Sequence, residues 1–127
     1  MYEYEAKVEK VVDGDTLDVV IDVGFGMFCK QRVRVNGIDT PEKNSTDLQE
    51  KKMGQEATEF VESWVRKQKK LRIKTYKDDK YGRLLADIYG DAGESLNEQM
   101  VKLGFAWKYD GGTKTKDLKV LMERRKK

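Results

Sequence analysis

The sequence predicts an α+β fold in which a β-barrel of five strands is combined with about three helices. Apolar and polar residues alternate through much of residues 4–35, as in half-buried strands, whereas apolar residues recur at helical spacing from Met53 onward. The chain has 127 residues, a length that one hydrophobic core serves well. We therefore expect residues 1–127 to form a single domain.

Five segments have the pattern of strands: two within residues 4–23, and one each in residues 28–35, 71–75 and 84–89. Asp13-Gly14 favours a hairpin turn between the first two strands, and Gly24 and Gly26 mark the next turn. A strand-rich first half followed by an inserted helix fits a barrel of the OB type. That fold commonly binds oligonucleotides on one face.

Three segments have the pattern of helices. The first shows apolar residues at helical spacing after a polar loop that extends to about Lys52; these are Met53, Ala57, Phe60, Val61, Trp64 and Val65. Ser95 to Glu98 has the capping-box form, and Gly104 marks the end of a short second helix. A third, basic helix is predicted from one apolar face that contains Leu118, Leu121 and Met122.

The composition excludes several kinds of chemistry. The sequence has no histidine and a single cysteine, Cys29, so it offers no imidazole base, no internal disulfide and no thiolate zinc site. Catalysis would have to rely on carboxylates, Arg, Lys, Tyr or a hard metal ion. We also expect no membrane span and find no signal peptide in this sequence, which leaves the compartment open, because a secreted form with its signal removed would look the same.

Three short motifs carry candidate functional residues: Asp13-Gly14-Asp15-Thr16, Asp39-Thr40-Pro41-Glu42 and Asp79-Lys80-Tyr81-Gly82-Arg83. Each alone is typical of an ordinary turn or loop. Together with GQEA at 54–57 and Leu96-Asn97-Glu98, they occur in the order found in staphylococcal nucleases, and the resemblance covers essentially the whole chain. It implies a calcium-dependent nuclease that hydrolyses DNA and RNA with little sequence preference and leaves 3′-phosphate ends.

The resemblance also implies a metal site. Asp15 and Asp39 match the carboxylate ligands of a calcium ion, and the backbone carbonyl of Thr40 matches a third ligand. Ca²⁺ takes six to eight oxygen ligands in irregular geometry, so these three groups and several waters make a suitable shell.

Three further residues match the catalytic positions of the family. Glu42 corresponds to the residue that orients the attacking water and is usually assigned as general base. Arg34 and Arg83 correspond to the two arginines that contact the scissile phosphate. Two guanidinium groups suit this role because phosphodiester hydrolysis concentrates negative charge on the non-bridging oxygens.

Substrate contacts are implied less completely. Lys80 and Tyr81 match residues near the terminal phosphate of a bound nucleotide, and Tyr109 or Trp107 is expected to supply the ring on which a base stacks. The expected partners are DNA and RNA, preferably single-stranded or frayed, and we expect a monomer. For Phe25, Met27 and Phe28, on a long hairpin, a local hydrophobic cluster is preferred over an added substrate contact.

Two alternatives remain at this point. One is a catalytically inactive OB-fold module that binds nucleic acid, but such a module has no need for carboxylates that repel phosphate. The other is a calcium-binding structural domain, which would leave Arg34 and Arg83 unexplained.

Overall fold

The computed structural model describes residues 2–76, 84–109 and 117–126. Within these ranges the chain forms seven strands and three helices. In chain order they are β1 (Tyr2–Asp13), β2 (Thr16–Gly24), β3 (Met27–Val35), β4 (Ile38–Asp39), α1 (Leu48–Arg66), β5 (Leu71–Tyr76), β6 (Leu84–Tyr89), α2 (Leu96–Lys102), β7 (Trp107–Lys108) and α3 (Leu118–Arg125).

Five of the strands close into a barrel with the order β1-β2-β3-β6-β5. Strands β3 and β6 are parallel, and the other neighbouring pairs are antiparallel. Alternate side chains of β2 point into the barrel, where Leu17, Val19 and Ile21 are buried against residues of the other strands. The predicted α+β class and five-stranded barrel are confirmed.

Helix α1 covers one side of the barrel and begins earlier than the sequence predicts. The Asp47 carboxylate caps the helix by accepting hydrogen bonds from the amides of Gln49 and Glu50. Leu48, the first helical residue, is 80% exposed, so the first turn has no apolar pattern to reveal it. Ala57 and Val61 are buried in the barrel core from the other side of the helix.

Helix α2 packs against the barrel core, whereas α3 belongs to a second, smaller core. Ser95 caps α2 by accepting a hydrogen bond from the amide of Glu98, and Gly104 follows the helix with a φ of 81°, as the capping pattern predicts. Leu121 of α3 is buried with Met53 and Trp107 in a second small core. No helix in the described ranges is long and apolar enough to cross a membrane.

The β2–β3 hairpin differs from its prediction. Phe25 is fully exposed at its tip, and Met27 and Phe28 are mostly exposed, so the expected local hydrophobic cluster is wrong. Gly24, Phe25 and Gly26 all have positive φ, and this tight reversal leaves the Phe25 ring without neighbours to cover it.

Candidate active site

The turn between β1 and β2 brings Asp15 against the segment that follows β4. A Cβ placed on Gly14 would lie 3.0 Å from Cγ2 of Thr40 and 3.1 Å from Cβ of Ala57, which is tighter than ordinary contacts of a Cβ, so the glycine eases this close approach. Asp15 Oδ2 accepts a hydrogen bond from the Thr40 amide at 3.4 Å. The two motifs that contain the predicted metal ligands are therefore in direct contact.

Arg34 lies between the two predicted carboxylate ligands. Its Nη2 atom is 3.7 Å from Oδ2 of Asp15 and 3.6 Å from Oδ1 of Asp39. The side chains of Arg34 and Asp39 are each only 7% exposed, and that of Asp15 is 14% exposed. Because burial weakens screening by water, these ion pairs hold the guanidinium group more firmly than pairs on an open surface.

Backbone pairing places these three residues together. Thr16 is the register partner of Arg34 in the β2–β3 ladder, and the Val35 amide donates to the Asp15 carbonyl at 2.8 Å. Asp39 lies on β4, where it pairs with Trp107 of β7. This two-residue ladder is absent from the sequence prediction, because two residues are too short to show a strand period.

Glu42 is exposed, just after Pro41, on the segment that leads from β4 to α1. The Glu42 amide donates to the Glu50 carboxylate of α1 at 3.3 Å. The neighbouring Lys43 donates its ammonium group to the carbonyl of Val12 at 2.5 Å. The segment is thus attached both to α1 and to the end of β1.

Asp13 adds a further carboxyl group to this end of the barrel. Burial raises the pKa of Asp13, and the negative charges of Asp15 and Glu42 raise it further, against the opposing effects of the Gly14 amide and of Lys43. The ionised form of Asp13 is therefore disfavoured at this end of the barrel.

The structure separates the two candidates for base stacking. Trp107 is 5% exposed, packs with Met53 and Leu121, and donates its indole N–H to the carbonyl of Asp117 at 3.0 Å, so it belongs to the core. Tyr109 is only partly buried, and its ring centre lies 5.5 Å from the guanidinium carbon of Arg34. Tyr109 is therefore the one of the two rings that lies beside the charged cluster.

The predicted residues Lys80, Tyr81 and Arg83 lie outside the described residues. Leu84, at the start of β6, pairs with Val33, and Leu85 pairs with Arg34 itself. Strand β6 therefore begins beside the Arg34 cluster.

Comparison with known proteins identifies the family. The family model described as "Staphylococcal nuclease homologue" matches residues 32–127, which is most of the chain. The chain belongs to this family.

Named relatives in the comparison are similar over most of the chain. The Bacillus subtilis (strain 168) protein named Endonuclease YhcR is 31% identical over 114 residues, which are 84% of this chain and 9% of that protein. An Escherichia coli O157:H7 protein named Uncharacterized endonuclease is 31% identical over 85% of this chain and 63% of its own length. The Thermonuclease of Staphylococcus hyicus is 34% identical over 82% of this chain and 59% of its own length.

The matched region therefore accounts for less than two thirds of each of these relatives. The names endonuclease and thermonuclease belong to these relatives, with which the chain shares its family. The family match bears out the resemblance, and the matched residues 32–127 include the motif Asp39-Thr40-Pro41-Glu42.

Metal binding is a separate question. Across residues 2–76, 84–109 and 117–126, no three carboxylate, thiol or imidazole side chains come together as a metal-binding group. The arrangement offers instead the carboxylate pair of Asp15 and Asp39 beside the Thr40 backbone, a set of hard oxygen donors.

Asn97 has a structural role that the motif Leu96-Asn97-Glu98 alone does not indicate. It is buried at the start of α2, where its oxygen accepts from the Ile88 amide at 3.0 Å. Its side-chain nitrogen donates to the carbonyl of Asn36 at 2.7 Å and to Asp87 at 3.1 Å. Asn97 thus links α2, β6 and the connection that leads to Asp39.

Proposed function

We propose that the chain is a calcium-dependent nuclease that hydrolyses phosphodiester bonds of DNA and RNA with little sequence preference and leaves 3′-phosphate ends. The observation that carries the proposal is the convergence of Asp15, Arg34 and Asp39, with Nη2 of Arg34 within 3.7 Å of both carboxylates. Relatives in the family bear the names endonuclease and thermonuclease, which supports the same class of reaction.

Asp15, Asp39 and the carbonyl of Thr40 would hold the calcium ion, with waters completing the shell. The donor chemistry fits, because carboxylate and carbonyl oxygens suit Ca²⁺ and tolerate its irregular coordination. A bound Ca²⁺ supplies positive charge to a phosphate oxygen and offsets the repulsion between phosphate and the acidic side chains.

Arg34 would bind the scissile phosphate together with Arg83. The ion pairs with Asp15 and Asp39 keep the Arg34 guanidinium group oriented before the substrate arrives. As the attacking oxygen bonds to phosphorus, negative charge grows on the non-bridging oxygens. A guanidinium group stabilises that charge by donating two parallel hydrogen bonds.

Glu42 would position the attacking water and accept its proton. Glu42 is an exposed residue whose charge acts on nearby Asp13, and its backbone is held by α1 and by the Lys43 contact to β1. A carboxylate is the base that this histidine-free sequence offers near neutral pH.

The substrate strand would stack a base on Tyr109, while Lys80 and Tyr81 contact a terminal phosphate. Stacking on a ring requires a base that is free of its own neighbours, so we expect single-stranded or frayed substrates to be preferred. We also propose that residues 1–127 act as one domain and as a monomer.

The test is to incubate the protein with single-stranded DNA and with RNA in Ca²⁺, in Mg²⁺ and in a calcium chelator. The proposal is supported if the wild type degrades both substrates in Ca²⁺ only and Glu42→Gln degrades neither. The control is Glu59→Gln, which changes an exposed residue on α1 and should behave like the wild type. Degradation that persists in the chelator contradicts the calcium mechanism. Binding without degradation under all conditions indicates the inactive nucleic-acid-binding module instead.

A further inference from the structure

Gly54 of α1 lies against the backbone of the segment that carries Glu42. A Cβ placed on Gly54 would be 2.5 Å from the Lys43 nitrogen, 2.6 Å from the Pro41 oxygen and 2.7 Å from the Glu42 carbonyl carbon. Ordinary contacts of a Cβ are 3.4–4 Å. All three neighbours are backbone atoms, so room for a Cβ cannot be made by rotating a side chain.

Glu50 holds the same segment one helical turn earlier. Its carboxylate accepts hydrogen bonds from the Glu42 amide at 3.3 Å and from the Ser45 hydroxyl at 2.9 Å. Residues four apart lie on the same face of a helix, so Glu50 and Gly54 form one continuous surface that contacts this segment.

Neither side of this contact has room to move away. On the helix side, Ala57 and Val61 are buried in the barrel core, and the Thr58 hydroxyl donates to the Gly54 carbonyl at 3.0 Å. On the segment side, the Thr40 amide is bonded to Asp15, and the Lys43 ammonium group is bonded to the Val12 carbonyl. A side chain at position 54 would therefore displace the backbone of Glu42.

We propose that Gly54 and Glu50 are positioning residues that set the place of the Glu42 carboxylate. This inference rests on the proposed function, in which Glu42 orients the attacking water. A Cβ at position 54 would move the Glu42 backbone by on the order of 1 Å, and a misplacement of that size costs about a hundredfold in rate. Substrate contacts made by Arg34 and Tyr109 are left in place, so kcat falls while KM changes little.

The stability of the variant gives a second, independent readout. A glycine inside a helix is less favourable than alanine, so an unhindered Gly54→Ala replacement would raise the melting temperature. A replacement that strains the Pro41–Lys43 backbone would lower it. The two directions distinguish a contact that matters from a glycine that is merely tolerated.

The main experiment compares Gly54→Ala with Gln55→Ala, which introduces the same residue at the adjacent, exposed position. For Gly54→Ala we expect kcat on a single-stranded oligonucleotide to fall between tenfold and a hundredfold, with KM within about twofold of the wild type. Gln55→Ala should match the wild type in both. A Gly54→Ala protein with normal kcat and a raised melting temperature overturns the proposal.

A second pair of variants keeps the proposal testable if Gly54→Ala does not fold. Glu50→Ala removes both hydrogen bonds, and Glu50→Gln keeps an acceptor oxygen. We expect Glu50→Ala to lower kcat without changing KM and to speed hydrogen exchange of the Glu42 amide. Glu50→Gln should restore part of the kcat and part of the protection of that amide. Unchanged kcat and unchanged exchange in Glu50→Ala contradict the positioning role.

Failure of the inference is distinguishable from failure of the proposed function. If the wild type degrades neither DNA nor RNA, the nuclease proposal fails, whereas the amide exchange of Glu42 in the same variants still reports on the contact with α1. If the wild type is active and the variants are indistinguishable from it, the inference alone is wrong.

Discussion

The side-chain nitrogen of Asn97 donates to the backbone carbonyl of Asn36 over 2.7 Å and links α2 to the connection between β3 and β4. The same side chain satisfies the buried amide of Ile88. Asn97→Ala leaves these groups buried without the partner, so we expect the free energy of unfolding in urea to fall by about 2–4 kcal/mol. Lys102→Ala, at an exposed position on the same helix, should change it by less than about 0.5 kcal/mol, and an equal effect of both variants would contradict the assignment.

Arg34 and Arg32 form a matched pair, because both lie on the same face of β3 and both pair with carboxylates. Arg34→Lys keeps the charge but loses the planar fork, so we expect kcat/KM to fall by about a hundredfold or more. Arg32→Lys, whose partner is the more exposed Asp18, should stay within about twofold of wild type. Similar losses in the two variants would mean that charge on this face, rather than the position of Arg34, is what matters.

Tyr76 should make stability depend on pH in the alkaline range. Its hydroxyl donates to Asp87 at 2.6 Å, and this hydrogen bond, with burial as the next cause, raises the pKa of Tyr76 to about 12 from 10.0. The pKa in the folded state exceeds that in the unfolded state, so the contribution is fully present below pH 10 and is lost as the pH rises to about 12.

The measurement is the difference in free energy of unfolding between wild type and Tyr76→Phe at several pH values. We expect the wild type to be more stable at pH 9 and the difference to shrink steadily between pH 10 and pH 12. A difference that stays constant over that range would show that the hydroxyl does not titrate as described.

Tyr109 and Trp107 should respond differently to replacement by leucine. Tyr109→Leu removes the accessible ring beside Arg34, and because stacking contributes about 1–3 kcal/mol per base, we expect binding of single-stranded DNA to weaken about tenfold. Trp107→Leu should mainly lower the melting temperature, since that ring is buried. Fluorescence titration and thermal unfolding of both variants would reveal whether the two roles are reversed.

Calcium should stabilise the fold through Asp15 and Asp39. A ligand that binds only the folded state at a hundred times its Kd adds about 2.7 kcal/mol, so we expect Ca²⁺ to raise the melting temperature of the wild type. Asp39→Asn should abolish most of this rise, and Asp18→Asn, in the Arg32 pair on the outer face, should retain it. A rise that survives in Asp39→Asn would place the calcium ion elsewhere.

The sequence was a good guide where a residue pattern extends over several positions. The alternation of Leu17, Val19 and Ile21 predicts a strand with one buried face, and the structure has that strand in the barrel. Helix α2 was also predictable, because Ser95 and Gly104 mark its ends by local backbone chemistry.

Other features depend on contacts between distant parts of the chain. Trp107 is buried because it packs against Met53 of α1 and Leu121 of α3, and the sequence patterns of these helices do not predict that contact. In the sequence, Asn97 is an ordinary polar residue at the start of a helix. Its hydrogen bonds to Asn36 and Asp87 depend on the folded arrangement of the chain. The close approach of Gly54 to Pro41 likewise depends on how α1 lies against the barrel.

The ladder between β4 and β7 has a consequence for how the protein is made. Asp39 receives its strand partner, Trp107, from a segment that is synthesised much later. During translation, a nascent chain that already contains Asp15, Arg34 and Asp39 still lacks β7, the strand that pairs with Asp39. We therefore expect the backbone around Asp39 to become ordered only after β7 has left the ribosome.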